Sequence, residues 1–502
     1  MNSARQSATQ FTEVELKLAL PSVDPRTLEQ HLARLPALVR RKATREKLYN
    51  TYYDTPDDAL NSQRIALRIR RVGSVDQPLW LQTLKMGGSG LSALSQRGEW
   101  EATLPNSDLQ PDLLKATPWS QLDPDGALFH SLAARFTTDF TRTRWTVRHR
   151  DGSVIEVALD QGQIVAGEHN AAICELELEL KAGRPATLFA IARQVASAVA
   201  VLPLGASKAQ RGFALAHNML GQPLRAQPHV LTPEMHVPEV ATQVLREMFN
   251  HFSSNLHTLL TSDDPEVVHQ ARVGWRRFKA ALTLFKKTPL VQAIPPWQGL
   301  KSLLKELGHL RDLEVASLET LPMLANAYVD GSNKRQEHWR ALQHSLAQTA
   351  DEQHKRVRSA INNPVTGATL LALTEWLESD QDPGASCVMA ADKNWTLRPW
   401  ARQHMERLRD QLKTTLKKSS KPDNLHHARL LAKRLRYGVE ALRAVLPKRC
   451  AQRWRQQAAR LQGSIGADRD LQHALRLAKR LKAHSTLLTF LRAVALGRRR
   501  PP

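Results

Sequence analysis

Glutamate alternates with leucine in Glu175-Leu176-Glu177-Leu178-Glu179. In a strand, every second side chain points the same way, so three carboxylates share one face. Carboxylate oxygens are hard donors suited to Mg2+ or Mn2+. Other short alternating segments put cations on one face: Arg68 with Arg70, Lys85 with Thr83, and Arg142 with Arg144. Arg and Lys neutralise phosphate oxygens, Arg with two hydrogen bonds at once. Glu13, Glu15 and Lys17 form a mixed row, as do Arg97, Glu99 and Glu101, and Glu156 shares a face with Asp160. For one strand alone, a solvated outer face is the ordinary reading. Taken together, rows of like charge make sense when acidic and basic strands face each other across a closed barrel, apolar faces outward against helices. About eight strands enclose room for one small ligand. A cavity with both walls calls for a metal-complexed polyphosphate, because confined like charges are costly without a counter-charge. Glu99, Glu156, Arg144 and Asp160 read equally well as structural ion pairs.

The second half of the chain repeats a different pattern. His269-Gln270-Ala271-Arg272 with Arg276-Arg277-Phe278-Lys279 matches His426-His427-Ala428-Arg429 with Lys433-Arg434-Leu435-Arg436, 157 residues later. Gly308-His309-Leu310-Arg311-Asp312-Leu313 matches Gly466-Ala467-Asp468-Arg469-Asp470-Leu471 at an offset of 158. Two similar offsets in one order indicate a duplicated helical unit. On a helix, His269, Arg272, Arg276 and Lys279 fall within an arc of ~80°. His426, Arg429, Lys433 and Arg436 repeat the stripe. A solvated basic face is the ordinary reading of a charge run. The duplication favours a groove for a long polyanion between the two stripes.

The elements that must hold these residues differ between the halves. In 502 residues there are 71 Lys+Arg and 48 Asp+Glu, a net charge of +23. Residues 1–220 hold 26 basic and 23 acidic residues, and residues 221–502 hold 45 and 25. Period-two segments dominate the first part, with helical patterns near Pro25–Leu38, Ala127–Phe136 and Ala186–Val199. Three- and four-residue spacing, as in Thr242–Leu260 and Trp297–Leu310, makes the second part helical. Pro223, Pro228, Pro233 and Pro238 mark a linker between them. Asn363 to Pro399 reads as a looser connection with a short helix around Leu370–Leu377. The expected organisation is a closed barrel of about eight strands with flanking helices at 11–217, a linker at 218–238 and an all-α domain at 239–495. The internal repeat of that domain covers about 239–360 and 395–495. Cys174, Cys387 and Cys450 are far apart, which excludes a disulfide scaffold and a Cys-based zinc site. A polar start and the lack of a long apolar run predict a cytoplasmic protein with no membrane partner.

The N-terminal segments resemble the CYTH, or triphosphate tunnel metalloenzyme, family. Glu13-Val14-Glu15-Leu16-Lys17 is its E-x-E-x-K signature. The series continues in order through Tyr52-Tyr53-Asp54-Thr55-Pro56, Leu67 to Arg70, Thr83 to Lys85, Arg97 to Glu101, Ala158-Leu159-Asp160, Glu175 to Glu179 and Ser207-Lys208 to Arg211-Gly212. The resemblance implies an α+β fold built on an antiparallel eight-stranded tunnel barrel, and a catalytic centre of Glu13, Glu15, Lys17 and Glu177. It implies a metal set of Glu13, Glu15, Glu101, Glu175, Glu177 and Glu179. It also implies that Lys17, Arg68, Arg70, Lys85, Arg97, Arg142, Arg144, Lys208 and Arg211 grip a triphosphate.

The helical half resembles the CHAD family, whose two similar bundles are associated with inorganic polyphosphate. Together the resemblances imply a Mg2+- or Mn2+-dependent inorganic triphosphatase, splitting triphosphate into diphosphate and phosphate, with a polyphosphate-binding domain attached. Hydrolysis or cyclisation of an organic triphosphate (thiamine triphosphate, ATP) is the alternative. It would need an apolar pocket for a base, and Trp80, Trp100 and Trp145 read instead as packing. A non-catalytic polyphosphate- or nucleic-acid-binding protein is the other. Nucleic acid is not favoured, because the basic residues lack interleaved aromatics for stacking.

Overall fold

The computed structural model describes residues 9–21, 24–73, 76–88, 92–379, 396–417 and 422–497, without the side chains of 9–11, 25, 422–426 and 461–468. They form two compact units, one of residues 1–222 with 362–379 and one of 223–361 with 380–502.

The first unit is a closed antiparallel barrel of eight strands. These are β1 (Thr9–Ala19), β2 (Thr44–Asp54), β3 (Ala66–Val72), β4 (Leu79–Met86), β5 (Leu94–Leu104), β6 (Ala133–Arg148), β7 (Val154–Ala166) and β8 (His169–Ala182). Their order is β5-β4-β3-β2-β6-β7-β8-β1, and β1 pairing with β5 closes the ring. Closure leaves almost no free edge; a two-residue β9 (Leu202–Pro203) extends the end of β1. Register puts Glu13 beside Arg97, Lys17 beside Glu177 and Asp160 beside Glu175.

The apolar faces of the strands turn outward, as the charge rows require. Leu16, Leu18, Val157, Leu159, Leu176 and Leu178 are fully buried outside the ring. They pack on α1 (Pro25–Ala33) through Leu28 and Leu32, and on α2 (Ala186–Ala198) through Leu188, Ile191 and Val195. Asp24 caps α1 by accepting from the Arg26 amide, with Pro25 at the first position. That is the standard start for a short helix. Trp100 and Trp145 belong to these outer clusters and not to the interior.

One expectation fails locally. The helical pattern near Ala127–Phe136 yields a single turn at Ala127–His130, and β6 begins at Ala133. The apolar spacing misleads because Phe136 is committed to the barrel, stacked on Tyr52 with ring centroids 4.6 Å apart. Phe213 meets Phe136 edge-on at 5.0 Å, plugging this region with aromatic rings. Phe213 comes from α3 (Lys208–Ala216), which starts with a reciprocal cap between Ser207 and Gln210. That box fixes the first turn, which carries Lys208 and Arg211.

The second unit is helical. Its main elements are α4 (Val237–Thr258), α5 (Pro265–Leu284), α6 (Lys301–Glu314), α7 (Asn333–Ile361), α9 (Leu397–Lys417), α10 (Pro422–Ala441), α11 (Lys448–Arg480) and α12 (Ser485–Gly497). Between α7 and α9 lies α8 (Pro364–Glu378), which belongs to the first unit. Leu371 of α8 sits in the apolar cluster outside the barrel, and Ser92 donates to Glu378 at 2.6 Å in a buried contact. Among the described residues, no helix is long and apolar enough to cross a membrane.

Candidate active site: a charged barrel interior

The barrel encloses a cavity of about 450 Å3 walled mainly by ionisable side chains. One wall is built around Glu13. It accepts from Lys85 Nζ at 2.7 Å and from Arg97 Nε at 2.8 Å. Burial pushes its carboxyl up, but the Lys85 and Arg97 cations outweigh that and hold it at about 2. Glu15 accepts from Lys17 and Arg97, both at 2.8 Å. Glu99 pairs with Lys85 at 3.2 Å and lies 3.7 Å from Arg68.

The adjoining wall, on β7 and β8 beside β1, gathers Asp160, Glu175 and Glu177, whose ligand oxygens all lie within 4.8 Å of one another. Lys208 reaches all three, at 2.6, 2.5 and 2.8 Å respectively. Arg142 makes two hydrogen bonds of 2.7 Å to Asp160, and Arg211 binds Glu175 at 2.8 Å. Lys208 and Asp160 are both buried, at 7% and 0% exposure. Their burial is tolerated because each charge is paired.

The structure therefore brings together Glu13, Glu15, Lys17, Lys85, Arg97 and Arg68 on one side. On the other it gathers Glu175, Glu177, Arg142, Lys208 and Arg211. Glu101 and Glu179 also line the cavity, Glu101 accepting from Thr83 at 3.1 Å and Glu179 from Lys181 at 2.6 Å. Burial holds the Glu179 carboxyl above its ordinary value. Arg144 is at the cavity, with Glu46 at 3.0 Å and Glu156 at 3.5 Å.

The sequence-based metal set omits Asp160, which lies at the centre of the compact acidic group. The sequence shows only that Asp160 shares a face with Glu156; the β7–β8 register sets it across from Glu175. Thr83, Tyr52 and Asn50 also line or brace the site; of these, the uncharged Asn50 carried no signal in the sequence. Tyr52 accepts from Arg68 at 3.3 Å, and Asn50 accepts from Arg70 at 2.8 Å.

Arg70 is distinctive. Among the described residues it makes no ion pair, and its partner is the neutral Asn50. Burial, reinforced by Arg68 and Arg142, lowers its guanidinium to about 10. A cation disfavoured by its surroundings is relieved when an anion arrives.

In the helical unit the two basic stripes come close. Lys433 is pulled down to about 8, first by burial and then by Arg429, Arg276, Arg469 and Lys279. Arg272 is lowered by burial and by Arg276, with Arg311 and Arg469 also near. Arg272, Arg276, Lys279, Arg429 and Lys433 thus share one field, to which Arg311 and Arg469 add. His269 is half-buried, and burial and Arg311 hold its imidazole below the ordinary value. Arg436 stacks on Tyr437 at 5.6 Å. The side chain of His426 lies outside the described residues.

The family model of the CYTH domain matches residues 12–213, and that of the CHAD domain matches residues 243–479. The chain carries a CYTH domain followed by a CHAD domain. Over 205 residues it is 38% identical to an inorganic triphosphatase of Haemophilus influenzae, covering 40% of this chain and 54% of that protein. The chain thus spans about half the length of this curated relative. Solved structures of similar shape include the CHAD domain from the plant Ricinus communis. It is 24% identical, with a TM-score of 0.46, over 55% of this chain and 90% of that one. A putative adenylyl cyclase from Hippeastrum, described as having a dominant triphosphatase activity, is 19% identical. Its TM-score is 0.28, over 41% of this chain and 95% of that one.

Proposed function

We propose that the barrel is a metal-dependent inorganic triphosphatase, and that the paired basic stripes of the helical unit bind inorganic polyphosphate. The observation that carries the first part is the closed interior, where cationic and acidic residues are interleaved and Arg70 has no carboxylate partner among the described residues. The similarity to an inorganic triphosphatase supports the same substrate.

Asp160, Glu175 and Glu177 suit a hard divalent cation such as Mg2+ or Mn2+ in donor chemistry and spacing. Glu13, Glu15, Glu101 and Glu179 extend the carboxylate supply. When bound, the ion would neutralise phosphate charge and polarise the terminal phosphoryl group. The chain's own residues do the rest. Arg70, Arg68 and Lys85 bind phosphate oxygens from one side, and Arg142, Arg144, Lys208 and Arg211 from the other. Lys17 and Arg97 hold Glu15 and Glu13 in place. A phosphate chain gripped from both sides presents its terminal phosphorus to water in line with the leaving diphosphate. Water oxygen bonds to phosphorus as the bridging P–O bond breaks, giving phosphate and diphosphate. The ring of strands keeps bulk water out and strengthens each of these contacts.

An organic triphosphate is less suited, because Trp100 and Trp145 pack outside the barrel and the interior wall is charged. The test is phosphate release from inorganic triphosphate, ATP and thiamine triphosphate, with and without Mg2+ or Mn2+. We expect inorganic triphosphate to be preferred and turnover to need metal. Glu13→Gln with Glu15→Gln, and separately Asp160→Asn, should each cut turnover by more than about 10²-fold, in the range usual for loss of charge stabilisation. Retention on polyphosphate should survive these changes and be lost in Arg272→Glu with Arg429→Glu. Metal-independent release, or equal loss of both activities in both sets, defeats the reading.

A further inference from the structure

Arg276 faces the basic stripe, but the next residue does not. Arg277 is turned about 100° round α5 and is 1% exposed. It lines a separate cavity of about 820 Å3. Linker residues 226–229 form one wall, the end of α10 another, and the start of α11 a third. The linker wall is anchored, since the Leu224 amide donates to Asn255 Oδ1 at 3.1 Å and Asn255 Nδ2 donates to the Leu224 carbonyl at 3.0 Å.

Two polar side chains in this cavity are more than nine-tenths buried and incompletely satisfied. The His229 side chain is 4% exposed; its Nε2 makes no hydrogen bond among the described residues and lies 3.6 Å from Glu247 Oε2. The Arg277 side chain is 2% exposed; its Nη1 is 3.2 Å from His251 Nδ1 and 3.5 Å from Glu247 Oε2. Its Nε lies 3.0 Å from Glu440, but the geometry makes no hydrogen bond. Buried polar groups are ordinarily satisfied, so each open one marks a place for a ligand or water. At the mouth stand Arg443, Lys448 and Arg455, all exposed and without a hydrogen bond or ion pair to any described residue. Two carboxylates stand near, Glu440 in the lining and Glu247 beside His229 and Arg277, against four cations, and the rest of the wall is largely apolar, from Pro228, Val439, Ala444 and Ala451.

We propose that this cavity binds a small phosphate monoester, its phosphate among Arg277, Arg443, Lys448 and Arg455 and its organic body on the apolar wall. The site is distinct from the barrel and from the polyphosphate stripes. A phosphate offers oxygen acceptors to the mouth cations and to the Arg277 Nε–H, which has an ionic neighbour in Glu440 but no hydrogen bond, and an imidazole N–H of His229 can donate to it. The apolar wall distinguishes the site from one for bare phosphate, which would gain nothing from it.

The test uses the full chain and titration calorimetry with AMP, inorganic phosphate and uncharged adenosine as probes, with triphosphate and EDTA present so that the barrel is occupied without turnover. AMP should bind with one site per chain, phosphate more weakly and adenosine weakest. Arg443→Glu with Arg455→Glu, both exposed and harmless to folding, should weaken AMP at least tenfold. The same variant should keep triphosphate hydrolysis and polyphosphate retention. His229→Phe should weaken AMP as well, and amide exchange at residues 226–230 should slow when AMP is added to the native chain. The proposal falls if AMP does not bind at millimolar concentration, or if the double reversal leaves its binding unchanged. It also falls if that reversal releases polyphosphate to the same extent as Arg272→Glu with Arg429→Glu. In that last case the mouth cations belong to the polyphosphate path, and the barrel reading stands untouched.

Discussion

Single side chains in this molecule are tuned by which charges they lack as much as by which they hold. Arg70 has only Asn50, whereas Arg142 binds both oxygens of Asp160 and Glu177 besides. Removing Arg70 deletes a charge the fold does not want, so Arg70→Ala should leave the melting temperature unchanged or raised. KM for triphosphate should rise by roughly 10- to 100-fold, the scale set by one charge-assisted hydrogen bond to the substrate. An unchanged KM would show that Arg70 does not touch substrate. Lys433 offers a pH readout. Its ammonium is held at about 8 by burial and by Arg429, Arg276, Arg469 and Lys279. It loses charge as pH rises through that value, and a bound polyanion favours the charged form. Polyphosphate affinity should therefore fall as pH rises from one unit below that value to one unit above it, with proton uptake on binding in that window. Lys433→Arg, which stays charged, should flatten the dependence in a binding series across the same pH range.

At the scale of elements, the strand faces were the legible part. Alternation alone placed Glu13, Arg68, Lys85, Arg142 and Glu177 on inward faces, because charge rows of one sign leave few other arrangements. Which carboxylates cluster was less legible, since Asp160 meets Glu175 and Glu177 only through the β7–β8 register and the arrival of Lys208 from α3. The start of β6 was misread because Phe136 has apolar neighbours at helical spacing, and only its stack on Tyr52 decides the matter. The destination of α8 was not legible at all. Its sequence announces a helix, but the surface it covers is set by tertiary packing, as at Gly367. A Cβ there would lie 2.3 Å from the Val201 carbonyl oxygen. Gly367→Val should then destabilise the barrel unit by about 1–3 kcal/mol, the usual cost of overpacking. The check is a melting curve of the full chain followed by loss of triphosphate turnover. Gly497, with nothing within 4 Å of an added Cβ, is the control position.

At the scale of the whole molecule, the barrel unit is drawn from two separated stretches, 1–222 and 362–379. A fragment ending at residue 222 lacks Leu370, Leu371 and Leu377, all at most 1% exposed in the intact chain. Burying three leucines contributes several kcal/mol, so the fragment should melt lower by about 10 °C. A synthetic peptide of residues 362–379 added in excess should restore part of that loss, whereas the same peptide carrying Leu371→Asp should not. Equal melting of fragment and peptide-supplemented fragment would show that α8 is dispensable. The interruption also bears on how the molecule is made. When a ribosome has released all eight strands, the helix that completes them is still untranslated, and at ~5–20 residues per second the nascent barrel waits roughly 10–40 s for it. During that interval its outer leucines are open to chaperones, so the N-terminal barrel matures only once most of the polypeptide has emerged.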